Sequence, residues 1–344
     1  MAARIHAFTG SLLVHEAIWR SQQSGGWEML IARNAWFGRR AAAALSDISI
    51  ARDRATVVFA HSYAARDVFA YAKSRGWTTV LGQIDPGPEH CRIAEQVADQ
   101  HPEYGSVPEL PPPSYFEAWR EECRLADWIV VNSEWSRDAL AAAGVPCEKL
   151  RVVPLPYEPE ITGTPRQYPP SFTPQRPLRA LFVGTASVIK GVAALLEAIE
   201  QLADVPVELT VVGGVSMTVP QRLVDHQTIR WVGAVPRLEV MRYYRHSDVL
   251  VFPSLSDGFG MAQVEAQGCG LPIIASRSCG RVVVDGVNGL LLPEVSAAAI
   301  AAAIRTVAAD PRLLSGFAQH SAPHHQGVTQ LGDALLQFEP KATA

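Results

Sequence analysis

Ten short apolar runs, interleaved with segments of helical periodicity, limit this chain to an α/β architecture with parallel sheets. The first series comprises Ala55–His61, Thr78–Gln83, Trp128–Asn132 and Leu150–Leu155. The second comprises Arg179–Gly184, Val207–Gly213, Ile229–Val232, Val249–Pro253, Pro272–Ala275 and Leu290–Leu292. Helical patterns fall at Ala64–Arg75, Ser133–Ala143 with Ser133 as N-cap, Gly191–Leu202, Leu238–Arg245, Gly260–Cys269 and Ser296–Ala308. Between the two series lies Glu158–Pro177 (EPEITGTPRQYPPSFTPQRP). Proline fixes φ and removes a donor, so this stretch reads as an extended linker. The expected organisation is two doubly wound domains, residues 1–157 and 178–325, joined by the 158–177 linker. An amphipathic tail, 326–344, is expected to cross back to the first domain. Ligands of such domains sit at the carboxyl ends of the strands.

Charge and cysteine content exclude several function classes. No apolar run reaches the ~18 residues that a membrane span needs. The opening MAARIHAFTGSLLVHEAIWR lacks the pattern of a secretory signal. Five scattered cysteines without a Cys-x-x-Cys pair suggest neither a disulfide framework nor a zinc ribbon, so a cytoplasmic protein is the simplest expectation. His15 and Glu16 lack the His-Glu-x-x-His spacing, and no metal site is expected. The net charge of −4 conceals an uneven distribution: residues 83–160 hold six Lys/Arg against fifteen Asp/Glu. A nucleic-acid binder would be basic over a whole domain, and this chain is not. The segment Trp27–Leu45 (WEMLIARNAWFGRRAAAAL) mixes aromatics with arginines. Peripheral contact with the inner membrane face and ordinary core packing with snorkelling arginines are both compatible with that pattern.

The segment Ser254–Ser276 (SLSDGFGMAQVEAQGCGLPIIAS) concentrates the chemistry. Asp257 lies just past a strand tip. Gly258 and Gly260 bracket Phe259, so the turn can adopt positive φ and let a ligand approach the backbone. A helix starting near Gly260, with Met261 in its first turn, directs free N–H groups toward a phosphate or sugar hydroxyl. Glu265, in the second turn, is placed to accept hydrogen bonds from two vicinal ribose hydroxyls. Cys269 reads as a packing residue, since no base stands beside it. A second element, Leu181–Gly191 (LFVGTASVIKG), runs from strand through Gly184 and Thr185 to Lys190 at a helix start. Its ammonium can reach a diphosphate. Neither a P-loop nor a Gly-x-Gly-x-x-Gly fingerprint is present.

These pieces, with Ala126–Ser136, Lys149–Leu155 and Asp285–Pro293, resemble glycosyltransferase family 4, retaining enzymes of the GT-B fold. The resemblance is strong over residues 125–330. It implies two Rossmann-like doubly wound domains facing a central cleft, the first for the acceptor and the second for a nucleoside diphosphate sugar. In that family two acidic residues eight apart frame the Gly-Phe-Gly turn, and Asp257 and Glu265 occupy those places. The first is usually Glu, so Asp257 loses about 1.5 Å of reach. The family's diphosphate-binding Arg and Lys correspond to Thr185 and Lys190, so one cation is absent or supplied by Arg277 or Arg281. The family's histidine near the donor sugar has no clear counterpart. Gln83, Asp85, His90 and His61 are the cleft candidates, and the first domain looks short by one βα unit.

The implied function is transfer of a sugar to a glycan, lipid-linked or small-molecule acceptor hydroxyl with retention at the anomeric carbon. Lys190 and Asp257 are the expected catalytic groups. Gly184, Thr185, Lys190, Asp257, Gly258, Phe259, Gly260, Met261 and Glu265 line the expected donor site. No cofactor beyond the sugar nucleotide is implied. The alternatives are a degenerate GT-B protein that binds without turnover, or another GT-B enzyme such as a sugar-nucleotide epimerase or a phosphorylase.

Overall fold

The computed structural model describes Leu12 and residues 26–48, 56–105, 109–157, 166–321, 332–335 and 337–338. The opening segment with His15 and Glu16, and the first part of the linker (158–165), lie outside these residues.

The first sheet is parallel throughout, in the order β1 (Val57–His61), β2 (Thr78–Gly82), β3 (Trp128–Val131), β4 (Leu150–Val152). Every residue of β2 is buried, as expected of a strand covered on both faces. Helices α1 (Gly26–Ser46), α2 (Arg66–Ser74), α3 (Pro88–Gln100), α4 (Pro113–Leu125) and α5 (Glu134–Ala142) surround it. Ser133 caps α5, its hydroxyl accepting from the Ser136 N–H. Along α1, Trp36 and Gly38 are buried, and Ala41 and Leu45 join the core of α2 and α4. The core-packing reading of this helix therefore describes what it does here. At the far end of the chain Phe338 is buried among Val80, Val130 and Val153, so the tail reaches the first sheet.

Besides a four-residue helix at Gln221–Val224, three helices were not singled out from the sequence: α3, α4 and, in the second half, α11 (Pro311–His320). Each begins with proline in its first turn, where the missing N–H costs nothing. Helix α4 matters because it delivers Glu122 into the core. This carboxyl, 1% exposed, accepts from the backbone N–H groups of Tyr63 (2.7 Å), Ala65 (2.9 Å) and Arg66 (3.3 Å). It thereby caps α2 from another element and holds Tyr63 at φ 73°, outside the usual range for a non-glycine residue. Burial pushes the Glu122 carboxyl up to about 7, against the pull of its three N–H donors. A carboxyl raised above its unfolded value of 4.5 contributes stability that is full below that value and lost as pH rises through 7. The contribution is at most about 3 kcal/mol. The melting temperature of the wild type relative to Glu122→Gln should therefore fall between pH 5 and pH 8. A difference that stays flat or grows over that range would contradict this account of Glu122.

The second sheet is also parallel, ordered β10 (Gly289–Leu291), β9 (Ile273–Ala275), β8 (Val249–Phe252), β5 (Leu178–Val183), β6 (Val207–Val212), β7 (Ile229–Gly233). Helices α6 (Val192–Glu200), α7 (Gln221–Val224), α8 (Arg237–His246), α9 (Met261–Gly268) and α10 (Ala297–Ala309), with α11, complete it. One face packs α6, α10 and α11 around Leu195, Leu196, Ile300, Ile304 and Leu314. The other face packs α8 and α9 around Tyr244, Val264 and Phe259. From β5 the chain runs outward through β6 and β7, then returns to place β8 on the other side. The strand order therefore reverses between β5 and β8, which opens a crevice at their carboxyl ends.

Candidate functional site

Both sequence motifs flank that crevice. After β5 the chain turns at Gly184 (φ 141°) and enters a 3-10 turn, Val188–Lys190, that ends at Gly191 (φ 69°). A Cβ on Gly191 would sit 2.0 Å from the Pro253 carbonyl oxygen, so only glycine allows the Lys190 turn to press against the exit of β8. The Leu255 N–H completes this contact by donating to the Ile189 carbonyl at 2.9 Å. The Lys190 ammonium donates to Asp257 Oδ2, and the two side chains are 28% and 17% exposed. Asp257 is itself fixed: its N–H donates to the Ser278 carbonyl at 2.9 Å, and its Oδ1 accepts from the Phe259 N–H at 3.3 Å.

Gly260 (φ 83°) forms the entry to α9, and a Cβ there would meet the Phe252 ring at 2.7 Å. The Gln263 N–H turns back to the Gly260 carbonyl at 2.9 Å, and the positive end of α9, at Met261 and Ala262, follows directly on the Asp257–Gly260 turn. One turn further, Glu265 Oε2 accepts from the Tyr244 hydroxyl at 2.9 Å, and Oε1 lies 3.6 Å from Arg237. Burial pushes the Tyr244 phenol well above its usual range and the Glu265 charge adds to the shift, so the hydroxyl remains a donor. Cys269 is buried, and burial raises its thiol, consistent with packing.

The first sheet closes over the same turn. Ser133 Oγ and Ser136 Oγ both donate to the Gly258 carbonyl, at 2.5 Å and 3.1 Å. A Cβ on Gly258 would lie 2.9 Å from the Ile84 carbonyl and 3.0 Å from Asn132 Nδ2. His90, from the first turn of α3, places Nδ1 3.1 Å from Ser256 Oγ, and Trp135 Nε1 donates to the same hydroxyl at 3.4 Å. Burial lowers the His90 pKa, and the Lys190 charge pushes the same way against Asp85 and Asp257, so the ring is neutral near pH 7.

Asp85 sits at the end of β2. Its Oδ1 accepts from the Tyr63 hydroxyl (2.7 Å), Gln83 Nε2 (2.9 Å) and the Gly87 N–H (2.8 Å). A cavity of about 310 Å³ opens beside it, lined by both halves of the chain: Tyr63, Asp85, His90 and Tyr115 from the first, Ser187 and Met217 from the second.

The structure thus brings Lys190, Asp257, Gly258 and Gly260 together at the β5–β8 switch point, with Glu265 one turn further along α9, His90 against Ser256 from the first half and Asp85 lining the adjoining cavity. Gln83 is a buried strut whose Oε1 accepts from Trp119 Nε1 at 2.9 Å and whose amide orients Asp85. His61 sits on β1, its ring edge-on to Phe59 at 5.3 Å, and does not line the cavity. Thr185 is exposed at the rim. Arg277 is exposed on the loop after β9, next to the Ser278 carbonyl that holds Asp257. Sequence reasoning missed Tyr244, Ser256, Tyr63 and the second role of Ser133 and Ser136. The Asn-Ser-x-x-Ser pattern announces a helix cap, and nothing in it signals the long-range acceptor.

Two strand-end motifs at one switch point, closed over by a second parallel α/β unit, define an architecture of the GT-B class. Residues 177–310 match the family described as Glycosyl transferases group 1. A D-inositol 3-phosphate glycosyltransferase of Kribbella flavida is 34% identical over 41% of this chain and 36% of its own length. Its counterpart in Xylanimonas cellulosilytica is 29% identical over 70% of this chain and 62% of its own length. The chain thus spans less than two thirds of the length of these curated relatives. Among solved structures, Anabaena HepE in complex with UDP superposes with a TM-score of 0.64 at 17% identity, covering 89% of this chain and 81% of that one. Sucrose-phosphate synthase from Thermosynechococcus elongatus gives a TM-score of 0.66 at 20% identity, covering 90% and 78%. The second half of the chain thus resembles the group 1 glycosyltransferases, and the fold of the chain is GT-B.

Proposed function

We propose that this protein transfers a sugar from a nucleoside diphosphate sugar to an acceptor hydroxyl, with retention at the anomeric carbon. The observation that carries the reading is the Lys190–Asp257 pair at the β5–β8 switch point, with the N-terminal end of α9 directly after it and Glu265 one turn further along that helix. Glu265 takes the ribose hydroxyls. Lys190 leaves Asp257 for the diphosphate and stabilises the charge that grows as the glycosidic bond breaks. Asp257, released from its ammonium partner, accepts from a hydroxyl of the donor sugar, with the Gly258–Gly260 backbone alongside. The leaving phosphate assists in deprotonating the acceptor on the same face, which retains configuration. The binding of UDP by HepE supports a uridine nucleotide as the first donor to test.

On this reading Lys190 and the helix end offset the diphosphate charge without a metal, so chelation leaves transfer unchanged. A cytoplasmic site of action fits the five free cysteines. No helix among the described residues is long and apolar enough to cross a membrane. The reading is tested by incubating the protein with UDP-, GDP- and ADP-sugars and a panel of acceptors, and assigning the product anomer by NMR. An inverted product, or a product formed without acceptor, would refute it.

Tyr244→Phe isolates one support of the site. It deletes the hydroxyl that orients Glu265 and keeps the buried ring, so nucleotide affinity should fall by about five- to tenfold. Calorimetric titration checks this, and an unchanged affinity would show that Glu265 needs no such orientation.

A further inference from the structure

We infer that the cavity between the two halves admits a ring-bearing polyol acceptor that is neutral or carries an amine, and rejects a phosphorylated one. This rests on the transferase reading above and names the acceptor class for it. Aromatic rings form one wall. Tyr63 and Tyr115 are stacked, with centroids 4.6 Å apart and planes at 14°, and Trp27 meets Tyr115 edge-on at 5.0 Å. Such a platform packs against the C–H face of a sugar or cyclitol ring, and its electron-rich faces attract an ammonium. Met217 of the second half faces it with an apolar side chain.

The charged groups among the described lining residues have one sign. Asp85 and Glu109 are its carboxylates, and no lysine or arginine stands among its described lining residues. His90, also in the lining, is held neutral by burial. Among the described residues, the three donors to the Asp85 carboxylate converge on Oδ1, and Oδ2 is the oxygen that meets a ligand hydroxyl or amine. A phosphate dianion here would face two carboxylates with no cation among the described lining residues, whereas an ammonium would gain a charge-assisted bond. The excess of fifteen acidic over six basic residues in 83–160, the segment that contributes Asp85, Glu109 and Tyr115, extends the same bias over the surroundings.

The test uses three probes of one ring size: phenyl glucoside, glucosamine and glucose 6-phosphate, titrated into the UDP-saturated full chain. The same titrations with Asp85→Asn keep the acceptor geometry at Oδ1 and remove the charge, and thermal melting confirms that the variant is folded. The expected result is that phenyl glucoside and glucosamine bind, glucosamine gains about tenfold from Asp85 and loses it in Asp85→Asn, and glucose 6-phosphate does not bind. The inference is overturned if glucose 6-phosphate binds as well as glucosamine, if Asp85→Asn leaves the preference intact, or if UDP binds and none of the probes does. Failure of UDP itself to bind would instead strike the underlying transferase reading.

Discussion

Lys190→Ala is expected to slow sugar transfer by about 10²–10³-fold at saturating donor, the usual consequence of removing one preorganised donor from a developing anion. The size of the effect follows from how firmly the structure places this ammonium. The turn that carries it ends at Gly191, locked against the Pro253 carbonyl, so the lysine backbone cannot drift. Thr185, where the family resemblance implies a second cation, offers only a hydroxyl at the exposed rim. In the free protein Lys190 is paired with Asp257. Its replacement therefore also leaves that carboxylate without its partner, and Lys190→Arg is the control that keeps the charge. The loss should appear in kcat. A raised KM at unchanged kcat would mean that Lys190 binds donor and transition state equally, and its assignment to the leaving group would fall.

Glu265→Ala should weaken nucleotide binding by about ten- to a hundredfold, equivalent to roughly 1.5–3 kcal/mol for a lost charge-assisted contact. The side chain is held by Tyr244 and, at longer range, by Arg237, so its carboxylate is already oriented in the free protein. Removing it also strands the buried Tyr244 hydroxyl, which adds a modest loss of fold stability. Paired measurements of affinity and melting temperature separate the two. If Glu265→Ala destabilises the chain yet binds the nucleotide as the wild type does, the glutamate is structural and the ribose sits elsewhere.

Local pattern announced the architecture well because parallel strands buried on both faces must read as apolar runs, and all ten such runs became strands. The caps at Ser133 and Ser296 were equally visible, since a hydroxyl before a helical pattern acts within a few residues of itself. The helices opened by Pro88, Pro113 and Pro311 were passed over because prolines read first as breakers, although the first turn of a helix tolerates them. Positions fixed by short-range geometry were legible: Lys190 before its glycine, and Asp257 and Glu265 around the Gly-Phe-Gly turn. Residues that act across the fold were not. Glu122 caps a helix more than fifty positions away, and Tyr244 reaches Glu265 from another helix. Asp85 and His90 stood among several candidates until the closure of the first sheet over Ser256 and Gly258 set them apart from His61. Spacing within one motif carries no information about such closure.

The central claim is that the crevice between β5 and β8 holds a nucleoside diphosphate. Calorimetric titration of UDP, GDP and ADP into the wild type and into Glu265→Ala tests it most directly. The account predicts that one of the three binds and that this binding drops at least tenfold in a folded Glu265→Ala variant. If none of them binds the folded wild type at millimolar concentration, the crevice is not a donor site and the account is contradicted.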